Sequence, residues 1–287
     1  MSKRLSDKAK PRTLIYTVAI DYPIVEATKP LWLRQSEISN CDFKVINKNY
    51  LKKGSIAHWN KYVTGRVYPN YDRYLFVDAD TIPGGKFDVD QFFSNDRISV
   101  CRDYFMLDWI FNSLHFFDEL LPLRDFNLDN YFNSGVIAYG KEFLPKIDDL
   151  LKFMEDNYEK INLIYKKAKE LKIAIGRDQT IINLYSFTSK WDLNFLPPTF
   201  NVQYPTRRGD FRSIFNNSSI LHFNGLRSTK VRNITQKIKF YELENSLLDK
   251  EFIRENKFSN NRIIFSPKIS KVQNLKKFII LKLKNIF

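Results

Sequence analysis

Short apolar runs recur along the chain and predict the strands of a sheet. The first run, TLIYTVAI at residues 13–20, is short and rich in β-branched residues, as a buried strand is. Residues 21–23 are expected to form the loop that follows it. A later run at residues 136–139 is expected to begin after a turn at residues 133–135. Further strands are predicted at residues 42–47, 74–77, 97–101 and 219–223.

Longer segments between these runs have the spacing of helices. From Leu151 to Ala168, apolar residues alternate spacings of three and four, which predicts one long helix with one buried face. Further helices are predicted over residues 25–39, over a segment that Ser55 caps and Pro69 ends, and over residues 179–185. Strands and helices alternate from residue 13 to residue 226, so we expect an α/β fold with a mainly parallel sheet flanked by helices.

The composition is that of a globular protein. With 287 residues, of which 44% are hydrophobic and 27% charged, the chain suits one large domain or two small ones and is neither disordered nor fibrous. Its two cysteines, Cys41 and Cys101, exclude a disulfide framework and a cysteine-based zinc site. The polar N-terminus and the lack of any apolar run of about 18 residues predict a cytoplasmic protein without a membrane-spanning helix.

The net charge of +14 is concentrated at the two ends of the chain. Residues 1–12 carry five Lys or Arg and one Asp, and residues 262–287 carry seven Lys or Arg and no acid. The segment between them therefore carries only +3. A nucleic-acid-binding domain would more often carry its charge on the folded body, so we expect no nucleic-acid partner. Basic ends fit an anionic surface such as a phospholipid leaflet.

The C-terminal tail combines lysines with apolar residues. As a helix from residue 274, it places most of its Leu, Ile and Phe side chains on one side and Lys277 and Lys284 on the other. Such a helix can lie in the interface of an anionic membrane, which would put the protein on the cytosolic membrane face. The alternative is a C-terminal helix that packs against the rest of the chain.

An acidic pair follows the predicted strand at residues 74–77. Asp78 and Asp80 come directly after this apolar run, and the alternation of a strand puts residues two apart on the same side. Two neighbouring carboxylates repel each other unless a cation joins them. Oxygen ligands of this kind suit Mg²⁺ or Mn²⁺, which commonly bridge to substrate phosphates. The alternative is an acidic turn that only caps a helix.

Two other strand or helix ends carry candidate site residues. His222 ends the apolar run before Asn224-Gly225, and imidazole is a good Mn²⁺ ligand that would complement two carboxylates. A single histidine can equally be structural. Asp178 and Gln179 begin a predicted helix, where an acid can also serve only the helix dipole.

Taken in order, these motifs resemble a known family. FVDAD (76–80), CRD (101–103), FNSGVIAY (132–139), GRDQTIIN (176–183) and LHFNG (221–225) occur in the order found in GT-A-fold glycosyltransferases. The chain is most similar to the retaining, family 8-like branch, which includes glycogenin and bacterial lipopolysaccharide galactosyltransferases. The resemblance covers residues 13–226, about three quarters of the chain. It implies a GT-A (Rossmann-like) fold.

The resemblance also implies roles for individual residues. Asp80 would bind a metal directly, Asp78 would touch the metal or the ribose, and His222 would be the third protein ligand. The residues matched to donor binding are Ile20, Asp21, Tyr22, Lys61, Asp78, Ala79, Asn133, Gly225, Arg227 and Lys230, and the candidate catalytic residues are Asp103, Asp178 and Gln179. At residues 225–230 the sequence GLRSTK departs from the family pattern, so either Arg227 or Lys230 would replace the usual phosphate-binding lysine or the whole loop differs.

The activity implied is transfer of a sugar from a nucleotide sugar, UDP-linked, to a glycan or lipid-linked acceptor in cell-surface polysaccharide or glycoconjugate synthesis. The metal would be Mn²⁺ or Mg²⁺, and the outcome retaining. If the outcome were inverting, Asp178 or Asp103 would be the candidate base. The aromatic stretch 104–123 lies where this fold builds its acceptor side, and its Trp109, Phe111 and Phe116 stack on a sugar, meet a lipid carrier or belong to the core.

The predicted organisation has three parts. Residues 1–12 form a basic arm, residues 13–230 a GT-A catalytic domain, and residues 231–287 a helical extension that ends in the basic amphipathic tail. Two alternatives stay open. A sugar-nucleotide nucleotidyltransferase would need a Gly-rich phosphate loop after the first strand, which this sequence lacks. A non-catalytic glycan- or RNA-binding module would need basic residues across the fold.

Overall fold

The computed structural model describes most of the chain between residues 10 and 224. The described residues are 10–51, 57–94, 96–103, 114–121, 126–173, 175–176, 178–205 and 211–224. Several predictions fall outside these ranges and stay predictions: the cap at Ser55, most of the basic arm, the C-terminal extension, the aromatic residues Trp109 and Phe111, and the donor-site residues Gly225, Arg227 and Lys230. Among the described residues, no helix is both long enough and apolar enough to cross a bilayer.

Nine strands form two sheets in the described part of the chain. The strands are β1 (Thr13–Val18), β2 (Asp42–Ile46), β3 (Arg73–Val77), β4 (Thr81–Pro83), β5 (Ile98–Arg102), β6 (Phe132–Gly140), β7 (Leu193–Leu196), β8 (Val202–Gln203) and β9 (Ile220–His222). The large sheet has the order β2-β1-β3-β6-β5-β7, and the small sheet has the order β4-β9-β8. In the large sheet only β6 runs against the others, so the predicted mainly parallel sheet is confirmed.

Helices connect the strands. The α-helices whose full extent lies within the described residues are α1 (Val25–Ser39), α2 (Thr64–Val67), α3 (Leu144–Asp156), α4 (Tyr158–Glu170), α5 (Asp178–Thr188) and α6 (Phe211–Asn217). Short 3₁₀ helices span Ala57–Tyr62, Val89–Phe92, Leu128–Asn130, Lys141–Phe143 and Pro198–Phe200. The helix predicted over residues 25–39 is confirmed with the same bounds as α1.

Both faces of the large sheet are buried. Leu14 and Tyr16 of β1 face a core that also contains side chains of α3, α4 and α5. Ile15 of the same strand faces the opposite core, with Trp32 of α1 and Phe92. A strand that is buried on both faces has a continuous apolar sequence instead of an alternating one. This is why the strand positions were visible in the sequence.

The turn predicted at residues 133–135 is wrong, because these residues belong to β6. Asn133, Ser134 and Gly135 are typical turn residues, but here the strand continues through them. The backbone N–H of Asp78 donates to the carbonyl of Gly135 at 2.8 Å, which prolongs the pairing of β3 with β6. Tertiary pairing therefore outweighs the local preference of these residues.

The single long helix predicted around residues 151–168 is two helices, α3 and α4, which meet at Asn157. Asn157 has φ −104° and ψ 15°, outside the helical values. Its side-chain amide donates to the carbonyl of Phe153 at 2.9 Å, a local bond that competes with the helix. The apolar spacing still predicted the buried face correctly, since Leu151, Met154 and Ile161 are all in the core.

Candidate active site

Asp78 and Asp80 lie in a tight turn at the carboxyl end of β3. The turn joins β3 to β4, and both the backbone N–H and the hydroxyl of Thr81 donate to the carbonyl of Asp78, at 3.1 and 2.6 Å. Alternation along an extended strand predicted that the two carboxylates share one side. The structure brings them together by this turn instead.

Helix α1 supports the turn that carries Asp78 and Asp80. The Thr28 hydroxyl donates to the carbonyl of Ala79 at 2.8 Å, and the Trp32 indole N–H donates to the carbonyl of Thr81 at 2.9 Å. Ala79 is buried. Ala79 was predicted to bind the donor, but its side chain faces the protein interior. Ala79 therefore contributes to the site only through its backbone position in the turn.

His222 reaches the two carboxylates from the small sheet. β9 pairs antiparallel with β4, so that His222 lies opposite Thr81. Its Nε2 lies 3.1 Å from Asp80 Oδ1 and 3.5 Å from Asp78 Oδ2. The three side chains offer one ligand atom each, all within 4.8 Å of one another. The three residues predicted as metal ligands are thus brought together by different strand ends.

The absence of a side chain at Gly135 makes room for this cluster. A β carbon at Gly135 would overlap the ring of His222 and the carboxylate of Asp78. Any larger residue would therefore displace one of the two groups. Gly135 was not predicted as a site residue, although it stands inside the FNSGVIAY motif.

The charges of this cluster suit a divalent cation. Burial raises the pKa of Asp78, against the opposing effects of Lys61 and His222. Burial alone would lower the pKa of His222, but the charge of Asp80, a hydrogen bond to it and the charge of Asp78 outweigh burial, and the pKa is raised. Two carboxylates and an imidazole that converge on one point form a ligand set that Mn²⁺ or Mg²⁺ accepts.

Lys61 and Asp178 form a buried ion pair beside the cluster. Lys61 lies in the last turn of the 3₁₀ helix at residues 57–62, and Asp178 begins α5. The Lys61 ammonium lies 2.5 Å from Asp178 Oδ2, and it also donates to the carbonyl and the hydroxyl of Ser134, at 3.2 and 3.1 Å. Burial would raise the pKa of Asp178, but the charges of Lys61 and His58 outweigh it, and the pKa is lowered.

The candidate catalytic residues Asp103 and Gln179 lie together with Asn133, a predicted donor-binding residue. Gln179 donates from Nε2 to Asp103 Oδ2 at 2.8 Å and accepts from Asn133 Nδ2 at 3.3 Å. Its Oε1 also accepts the backbone N–H of Ser134 at 3.2 Å. Asp103 follows β5, Asn133 lies in β6 and Gln179 lies in α5, so three elements meet here.

The loop after β1 reaches the same edge of the sheet. Ile20, Asp21 and Tyr22 are at least partly exposed, and Asp21 has the left-handed φ of 52°. Burial, followed by the charges of Asp80 and Asp78, raises the pKa of Tyr22 to about 12. Tyr22 therefore lies near the acidic pair, with 43% of its surface exposed.

Asn201 is a site residue that the sequence did not indicate. It follows the 3₁₀ helix at residues 198–200 and is buried, with 3% of its surface exposed. Its side chain contacts both Asn133 and His222. No motif or strand-end pattern marks it, because the loop that carries it meets the site only through tertiary folding.

Comparison with known proteins agrees with this geometry. The sequence model of glycosyl transferase family 8 matches residues 24–231, well over half of the chain. The chain belongs to this family. It is therefore a glycosyltransferase, which was the predicted activity, and neither the nucleotidyltransferase nor the non-catalytic module is supported. The family match begins after β1, but β1 pairs with both β2 and β3 and is part of the same sheet.

Solved structures of glycosyltransferases share the fold. One is a glycosyltransferase involved in the glycosylation of the major capsid of PBCV-1, 12% identical with a TM-score of 0.54, covering 79% of this chain and 100% of that one. Another is the bifunctional glycosyltransferase WbbM, 12% identical with a TM-score of 0.50, covering 86% of this chain and 52% of that one. The predicted GT-A fold is confirmed. A search of curated proteins gives no match.

Proposed function

We propose that this family 8 glycosyltransferase is metal-dependent and uses a nucleotide sugar, UDP-linked, as its donor. The observation that carries the proposal is the convergence of Asp78, Asp80 and His222 next to the Lys61–Asp178 pair. The site lies at the carboxyl ends of β3 and β5, where open α/β sheets bind their ligands. An acidic cluster at such an edge can hold a cation that also binds the negatively charged oxygens of a diphosphate.

Each residue has a distinct part in this proposal. Asp78, Asp80 and His222 would hold Mn²⁺ or Mg²⁺. When bound, the cation neutralises the diphosphate and makes it a better leaving group. Tyr22, with its exposed ring near the acidic pair, and the neighbouring Ile20 and Asp21 would face the nucleotide. These assignments, like those of Gly225, Arg227 and Lys230, are proposals.

The charges of the site favour a retaining outcome. Asp178 is pinned by Lys61 and has a lowered pKa, so it is a weak proton acceptor. Asp103 accepts a hydrogen bond from Gln179, which orients the amide of Gln179. An inverting transfer needs a base that takes the proton of the attacking hydroxyl, and the ion pair with Lys61 makes Asp178 a poor one. Retention, with attack from the side of the leaving group, needs no strong base.

The acceptor and the location of the enzyme are proposed from the sequence alone. A glycan or a lipid-linked sugar is the proposed acceptor, in the synthesis of a cell-surface polysaccharide or glycoconjugate. The basic tail at residues 262–287 would bring the enzyme to the anionic cytosolic face of a membrane, where a lipid-linked acceptor is presented.

A donor screen tests the function. Nucleotide sugars are incubated with the enzyme and Mn²⁺, and the release of free nucleotide is followed. We expect release from a UDP-sugar, its loss on chelation, and its loss in Asp80→Asn. Asp192→Asn is the matched control, because Asp192 is an exposed partner of Arg97. Equal turnover in Asp80→Asn and wild type would refute the metal assignment.

A further inference from the structure

Two backbone N–H groups fix the orientation of the amides in the site. The N–H of Gly135 donates to Asn133 Oδ1 at 2.9 Å, and the N–H of Ser134 donates to Gln179 Oε1 at 3.2 Å. A backbone N–H can only donate, so the atoms that face it must be the amide oxygens. The nitrogens of Asn133 and Gln179 therefore lie on the opposite sides of these amides.

From these fixed points the hydrogen bonds run in one direction. Asn133 Nδ2 donates to Gln179 Oε1 at 3.3 Å, and Gln179 Nε2 donates to Asp103 Oδ2 at 2.8 Å. An ionised carboxylate accepts and does not donate, so the series of hydrogen bonds can end at Asp103. Asn133 and Gln179 are both buried, with 4% and 8% of their surfaces exposed.

The other end of this series of hydrogen bonds reaches His222, the proposed metal ligand. Asn133 Oδ1 can only accept, so the Asn201 atom 3.0 Å away from it is the nitrogen Nδ2. Asn201 Oδ1 then faces His222 Nδ1 at 3.3 Å. Because that oxygen also can only accept, Nδ1 must carry the proton. Nε2 faces Asp78 and Asp80, so Nε2 is the nitrogen that would give up its proton to bind a cation.

We infer that Asn201 is a positioning residue that fixes the tautomer and the ring orientation of His222, so that Nε2 is available to a divalent cation. A metal-bound histidine commonly donates its second N–H to an oxygen that fixes the ring in this way. The inference rests on the proposed metal site. It adds a residue that touches neither the cation nor the sugar.

The fold holds Asn201 in place from both sides. The backbone N–H of Ser219 donates to the carbonyl of Thr199 at 2.8 Å, and the N–H of Tyr204 donates to the carbonyl of His222 at 3.0 Å. The loop of Asn201 is thus tied to the strand of His222. Since Asn201 also holds Asn133, and Asn133 holds Gln179, one hydrogen-bonded unit orients both the proposed metal ligand His222 and the candidate catalytic residue Gln179.

The tautomer can be measured directly by ¹⁵N NMR of the full chain. The chain has three histidines, so the imidazole signals are few, and a His222→Gln variant assigns those of His222. In mildly alkaline buffer, with and without Mg²⁺, we expect Nδ1 of His222 to carry the proton. An unprotonated Nδ1 in the wild type would overturn the inference without any further variant.

Variants at Asn201 test its role. Asn201→Leu removes the acceptor, so we expect His222 to shift to the Nε2–H form and the Mn²⁺ dissociation constant to rise about 10- to 100-fold. Asn201→Asp keeps an acceptor for Nδ1–H and should retain the Nδ1–H form. Asn194→Leu is the matched control, because Asn194 bonds Ser99 away from the site.

Calorimetry with Mn²⁺ alone gives the affinity, and circular dichroism checks the fold. A wild-type tautomer and affinity in Asn201→Leu would overturn the inference. Neither measurement uses a donor or an acceptor, so a failure to transfer sugar counts against the proposed function and not against the role of Asn201.

Discussion

Lys61 supplies the positive charge that balances the buried carboxylate of Asp178. The Lys61 side chain is 5% exposed and that of Asp178 is 13% exposed. The two opposite charges therefore pair with each other largely out of contact with solvent. Replacing Lys61 by Met would leave Asp178 buried without its cation. We expect Lys61→Met to lower the free energy of unfolding by about 3–5 kcal/mol, measured by urea denaturation at neutral pH.

The pH dependence of this difference has a definite sign. The pKa of Asp178 is lowered in the folded state, so the stability from the pair is present above the unfolded value of about 3.9 and is lost as the pH falls through the folded value. The gap between wild type and Lys61→Met should therefore shrink in acid. Lys141→Met, which breaks the exposed pair with Asp72, is the control and should change little. Equal effects of the two variants would contradict this account.

Gly135 is the second residue that the site requires. In Gly135→Ala the new methyl group would overlap His222 and Asp78, so we expect the Mn²⁺ dissociation constant to rise about tenfold or more. Calorimetry measures it. Gly65→Ala is the control, because its methyl group would meet only the flexible end of Leu144. An unchanged isotherm in Gly135→Ala would show that the cluster has room for a side chain.

At the scale of elements, α1 supports the turn that carries the acidic pair. Thr28→Val keeps the shape of the side chain but removes the donor to the buried carbonyl of Ala79. We expect a loss of about 1–3 kcal/mol in the free energy of unfolding and weaker Mn²⁺ binding. The control is Thr188→Val, whose hydroxyl bonds Leu184 at the end of α5. If only stability fell, α1 would not position the turn.

The sequence predicted the elements with continuous apolar runs and the chemistry at their ends. Asp78 and Asp80 follow β3 of the large sheet, and His222 meets them because β9 of the small sheet pairs with β4, the strand after their turn. The strands β4, β7 and β8 were missed, since two to four residues are too few for a period to show. Asn201 was missed for a related reason: its contacts depend on a loop that only the tertiary fold brings to His222.

At the scale of the whole molecule, the folded body and the ends differ in charge. Residues 262–287 carry seven of the basic residues and no acid. Each basic residue near an anionic surface contributes about 1 kcal/mol of attraction. We expect the full chain to bind vesicles of anionic lipid, and a chain lacking residues 262–287 to bind them much more weakly, measured by co-sedimentation. Vesicles of neutral lipid are the control, and unchanged binding after the deletion would favour a packed tail.

The two sheets bring Asp78, Asp80 and His222 together from distant parts of the chain. We propose that these residues bind the diphosphate of a sugar nucleotide through a cation. Calorimetric titration with UDP-sugars, in Mn²⁺ and then in chelator, tests this most directly. We expect uptake in Mn²⁺ that disappears on chelation and in Asp80→Asn. Uptake that survives chelation, or none for any sugar nucleotide in Mn²⁺, would contradict it.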